Sequence, residues 1–135
     1  FGGAIRASHY FGVHAYPPRG VRSMREPNGK SAMLRYRQIH DALQRAGIKS
    51  GPFLLTETGL SEGWRGVETE DAVGADLMWL TSELDKDPYV IGQTVYGLFL
   101  PDNTKWEKFN VAGSLVEQIV GDYNTCTPEH PCSPG

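Results

Sequence analysis

The chain has 135 residues, 39% hydrophobic and 21% charged, which suits a single globular domain large enough for a real core. Its net charge of −3 leaves no basic footprint for nucleic acid. No apolar run approaches the ~18–20 residues of a membrane-spanning helix.

Phe1 to Ser8 carries no readable period. His9-Tyr10-Phe11-Gly12-Val13-His14-Ala15-Tyr16 reads as a strand closed by Pro17-Pro18, since proline cannot donate to a ladder. Alternation puts Gly12, His14 and Tyr16 on one face, and Phe11, Val13 and Ala15 on the other. A long loop with Arg19, Arg22, Arg25 and an Asn28-Gly29 turn follows. Ser31 is a candidate cap for a helix over about residues 32–46. Met33, Tyr36, Ile39, Leu43 and Ala46 recur there at three- and four-residue steps. Gly47 is a suitable residue just past its end, and His40 reads as a helix-face histidine without chemistry.

Phe53-Leu54-Leu55-Thr56-Glu57-Thr58-Gly59-Leu60 begins as a buried strand and ends on a carboxylate. Alternation predicts Phe53, Leu55 and Glu57 on one face, with Leu54 and Thr56 on the other. The C-terminal ends of parallel strands are where α/β proteins place chemistry, so Glu57 is the leading candidate. Thr58 to Thr69 forms a second long loop around Trp64-Arg65. A helix over about residues 70–84 turns Val73, Leu77, Leu80 and Leu84 inward, with carboxylates at its positive end. Tyr89 to Leu100 lacks clean alternation and predicts a strand covered on both faces, stopped by Pro101-Asp102-Asn103. Lys105 to Asn110 is a loop with two large aromatics. A last helix over about residues 111–121 buries Val111, Leu115, Val116 and Ile119, and residues 122–135 read as a Pro- and Cys-containing tail.

Three strand–helix units in a row predict an α/β fold of consecutive parallel strands with crossovers. They form either a small open sheet or part of a (β/α)8 barrel, which takes about 250 residues when complete. Here the residues resemble a known family. His14-Ala15-Tyr16 on one strand, Thr56-Glu57-Thr58-Gly59 on the next and an aromatic-rich last strand look like the C-terminal part of a clan-A (β/α)8 retaining glycoside hydrolase. The cellulase-like and xylosidase-like members come closest, across about residues 9–120. The resemblance implies a partial TIM barrel of about three C-terminal units over residues 1–121. It makes Glu57 the nucleophile, and His14 and Tyr16 residues of the sugar site, with the tyrosine bonded to the nucleophile. Trp64 offers a stacking face and Arg65 or Arg19 a donor to hydroxyls. The competing role for Trp64 is a loop anchor at the rim. Tyr96 and Phe99 stand where the family usually has a tryptophan.

Retaining hydrolysis needs a second carboxyl group ~5–5.5 Å from the nucleophile. The family supplies it as a Glu following an Asn, and no Asn-Glu dipeptide occurs here. The expectation is therefore a chain with one of two catalytic carboxyl groups, inactive alone. Phe1 reads as a processed or truncated start, and an N-terminal half-barrel or a second copy as the completing partner. The alternative is a non-catalytic remnant that binds carbohydrate through Trp64, Tyr16 and Tyr96, or packs in an assembly. No cofactor is expected, and no metal: His9 and His14 fall on opposite strand faces. Cys126 and Cys132 form a disulfide or remain two free thiols; a bridge would suit an oxidising compartment, and the family reading implies an extracellular or cell-surface site.

Overall fold

Three parallel strands, β1 (Phe11–Ala15), β2 (Phe53–Thr58) and β3 (Val90–Val95), lie side by side in that order. This computed structural model describes residues 2–98 and 104–125. A short helix α1 (Gly2–Ala7) precedes β1, over residues that carry no readable period. Two helices, α2 (Pro27–Met33) and α3 (Arg35–Arg45), connect β1 to β2. One helix, α4 (Glu70–Leu84), connects β2 to β3, and α5 (Leu115–Thr125) follows a 3-10 turn at Glu107–Phe109. The mixed α/β class with a parallel sheet agrees with the strand–helix order of the sequence.

Helices cover one face of the sheet. Val13 and Ala15 of β1 and Phe53 and Leu55 of β2 are buried with Met33, Tyr36 and Leu43 from the first crossover. Val73, Leu77, Leu80 and Leu84 of α4 complete that core, the four residues its period assigned. Thr69 caps α4 by accepting from Ala72 N at 3.2 Å, and Glu70 and Asp71 lie in its first turn. The opposite face is open: Gly12, His14 and Thr94 are exposed, and Leu54 and Thr56 are half-buried.

The predicted helix over 32–46 is two helices broken at Leu34, and Ser31 lies inside α2 rather than capping it. Pro27 begins α2, its fixed φ suiting a first helical position. Asn28-Gly29 is therefore helix, not turn. Gly29 is there because the chain passes close: a Cβ would meet the Ser23 carbonyl oxygen at 2.4 Å. Gly47 does follow α3, at a φ of 64°.

β3 is an edge strand, not one covered on both faces. Ile91 is 53% exposed, and no strand lies beyond β3 among the described residues. The lack of alternation has another cause. The β2–β3 register slips between Phe53/Leu54 and between Leu55/Thr58, and each slip resets which residue faces the core. The last helix begins at Leu115 and runs through Thr125, so Asp122–Thr125 extend it past the predicted boundary. Val111 is buried ahead of that helix. Phe99, Pro101-Asp102-Asn103, Cys126 and Cys132 lie outside the described residues.

Candidate active site

Glu57 sits next to the last residue of β2, with its side chain 36% exposed. Val13 pairs with Leu55, but His14 pairs with Glu57, so Thr56 is an extra residue in the ladder. Paired residues of neighbouring strands share a face. The bulge therefore turns Glu57 away from Phe53 and Leu55 and onto the open face with His14. The predicted face for Glu57 is corrected on this account: strict alternation fails where a bulge adds one residue. Thr58, paired with Ala15, returns to the core and is fully buried.

The open face now holds a small constellation. The Tyr16 hydroxyl donates to Glu57 Oε2 at 3.1 Å, and His14 Nδ1 lies 3.5 Å from the same oxygen. These are the two side chains that the family resemblance implies for the site of Glu57. Burial, and then the hydrogen bond and charge of Glu57, push the Tyr16 hydroxyl well above its usual range. Tyr16 thus stays a neutral donor to the carboxylate at any ordinary pH. His14 is 60% exposed, so its imidazole is free to meet a ligand.

Tyr96 joins from the end of β3, where its N–H donates to Thr58 O at 2.9 Å. The Tyr96–Gly97 peptide bond is cis. Gly59 separates the two tyrosines: a Cβ there would lie 3.5 Å from the Tyr16 ring and 3.5 Å from the Tyr96 carbonyl oxygen. Tyr16, Glu57 and Tyr96 therefore share one end of the sheet.

Trp64 does not join them. It is 5% exposed and part of the core, so its indole offers no face for stacking, and the anchoring role holds instead. Arg65 is likewise occupied. Its guanidinium donates to Asn110 O at 2.6 Å and Ala112 O at 3.2 Å, and lies 4.8 Å from the Trp64 ring centroid. Trp64 N and Arg65 N both donate to Lys108 O. Together they clamp the β2–α4 loop to the segment after β3, rather than reaching toward Glu57. Arg19 is exposed.

The two large aromatics of the Lys105–Asn110 loop lie beside Tyr96. Trp106 packs against it in a T-shape at 6.3 Å, and Phe109 does so at 5.6 Å. Val111 N donates to Gly97 O at 3.1 Å, folding the loop back on the strand end. Spacings of ten and thirteen residues follow no helical or strand period, so no pattern in the sequence announces this contact.

The other carboxylates with defined partners are engaged elsewhere. Glu62 accepts from Gly20 N, Asp76 holds residues 23–25, and Glu83 and Asp87 bind Arg37. No cluster of three metal-ligating side chains occurs among the described residues. No helix among them is long and apolar enough to cross a membrane. A cavity of about 600 Å³ lies between α4, β3 and α5, lined by Leu77, Met78, Val90 and Val120 together with Thr81, Gln93 and Glu117, and Glu57 is not part of its wall. Compared with protein-family models, curated proteins and solved structures, the chain matches none.

Proposed function

We propose that this chain is the C-terminal part of a (β/α)8 retaining glycoside hydrolase acting on a β-linked oligo- or polysaccharide, with Glu57 as its nucleophile. One observation carries the reading: Tyr16 donates to Glu57 Oε2 at 3.1 Å from the neighbouring strand end. A nucleophilic carboxylate must be aimed and kept from rotating, and a neutral phenol donating to one oxygen does both while leaving the other free to attack. In this mechanism an Oε atom of Glu57 forms a bond to the anomeric carbon as the bond to the leaving oxygen breaks. A second carboxyl group protonates that oxygen, and later removes a proton from the water that releases the sugar. That second group is to come from polypeptide beyond these residues, or from a partner chain that completes the barrel. His14 binds a sugar hydroxyl.

An activated 2-deoxy-2-fluoro glycoside with a dinitrophenolate leaving group tests the assignment. Such a leaving group departs without an acid, so the missing carboxyl group is not required. The expected result is a covalent adduct located by mass spectrometry on Glu57 and absent in Glu57→Gln. Adducts elsewhere, or none with gluco-, xylo- and manno-configured reagents, count against the reading.

A further inference from the structure

We infer that Trp106, with Lys105, forms a second sugar platform beside Glu57, which makes the ligand a chain of at least two sugar units. The inference rests on the glycosidase reading and deepens it by naming a site for a neighbouring sugar ring. Trp106 is 42% exposed, unlike Trp64, so its indole has area free for a ligand. Its plane is fixed by Tyr96, in a T-shape at 6.3 Å, and by Phe109, tilted at 5.9 Å. Phe109 in turn is buried, and Trp106 O accepts from its N–H at 2.9 Å. A ring held this way loses little freedom on binding, the property that makes rigid aromatics effective contacts.

The chemistry of the ring face fits a saccharide. Lys105 Nζ lies 4.7 Å from the Trp106 centroid, so the electron-rich π face already attracts positive charge. The C–H face of a pyranose is weakly positive and apolar and meets such a surface well. Lys105 is exposed on a long stem. It swings aside when a sugar arrives and donates to a hydroxyl from the rim. Tyr96 links the two positions, since it touches Trp106 on one side and shares the strand end with Glu57 and Tyr16 on the other. The proposal thus seats one sugar at Glu57 and the next on Trp106, with Tyr96 between them.

Titration calorimetry of the chain with β-linked gluco-, xylo- and manno-tetrasaccharides, and with the matching monosaccharides, tests this. At least one tetrasaccharide binds more tightly than its monosaccharide. Trp106→Ala lowers that tetrasaccharide's affinity about tenfold or more and leaves the monosaccharide's within about twofold. Trp106→Phe, which keeps a flat ring, recovers part of the loss and guards against a folding defect. Equal tetrasaccharide binding by Trp106→Ala and the parent overturns the platform while leaving Glu57 labelling intact. A loss of affinity equal for both ligand lengths also overturns it. No binding of any saccharide by the parent chain overturns the platform as well, and in that case Glu57 labelling decides separately whether the catalytic reading survives.

Discussion

Asp76 of α4 reaches across to the loop before α2 with three hydrogen bonds, and its removal should cost several kcal/mol, about 3–5. It is 2% exposed. Its oxygens accept from Met24 N at 2.7 Å, Ser23 Oγ at 2.9 Å and Arg25 Nε at 2.7 Å. Met24 is fully buried, so Asp76→Ala strands its N–H without water or acceptor, at about 2–3 kcal/mol. The Ser23 hydroxyl is less enclosed and adds about 1 kcal/mol. Arg25 is half exposed, so its ion pair counts only as a surface pair, about 0–1 kcal/mol. The total is about 3–5 kcal/mol. With a urea m-value of about 1.5 kcal/mol/M, the midpoint falls by about 2–3 M. Arg25→Ala should move it by less than about 0.7 M, which separates the buried bond from the salt bridge. Each curve is taken at two protein concentrations, because association stabilises by mass action. An Asp76→Ala midpoint within about 0.3 M of the parent would refute the reasoning.

Tyr16→Phe removes the donor to Glu57 and should slow adduct formation on Glu57 about 10–100-fold, with thermal stability nearly unchanged; equal labelling rates would show the phenol to be idle. Gly29→Ala should destabilise by about 1–3 kcal/mol through the 2.4 Å approach to Ser23 O, against the gain of about 1 kcal/mol that helix propensity alone forecasts, so the sign of the change decides. Glu83 is held below the usual carboxylate range, first by Lys86 and also by Arg37. Its contribution to stability is present above the unfolded-state value and disappears as pH falls through the folded one, so Glu83→Gln should flatten the acid limb of urea midpoints measured from neutral pH downward. At the alkaline end, burial and Asp87 push Tyr89 up to about 12. Its stabilisation is complete below the unfolded value near 10 and is lost as pH rises through about 12, which absorbance near 295 nm follows against unfolding. The outer edges of β1 and β3 and the exposed Ile91 should drive self-association, and Ile91→Lys should lower the mass seen by light scattering at micromolar concentration; a parent that scatters as a single chain would count against it.

The parts of this structure legible in the sequence are those ruled by one uninterrupted period. Helix α4 matches because Val73, Leu77, Leu80 and Leu84 keep one stripe and Thr69 can cap it. The first crossover was misread because its stripe survives the break at Leu34: Met33 and Tyr36 both stay buried across it. Glu57 was found as a candidate because a carboxylate ending an apolar strand is visible locally. Its face was not, because one bulge at Thr56 inverts the alternation and only the pairing with β1 reveals it. Trp64 went from candidate ligand contact to core anchor for a related reason. A tryptophan in a Gly-rich loop carries no periodic neighbours to say which way it turns, and contacts with Lys108, far along the chain, decide it.

The bulge also bears on which of the two functional readings is favoured. Without it, Glu57 would lie against the helices, where a carboxylate needs a buried partner, and Thr58 would take the open face. With it, the threonine enters the core and bonds Thr94 O at 3.0 Å, and the acid meets Tyr16 and His14. A purely structural strand end gains nothing from this exchange, since threonine suits the open face and the core would accept a valine. The binding-module alternative loses Trp64, one of its three aromatic contacts, to the core, while Glu57 keeps Tyr16 and His14 beside its carboxylate. The irregularity thus aims one acid at the open face beside Tyr16 and His14, which supports the proposal of a catalytic role over that of a binding module.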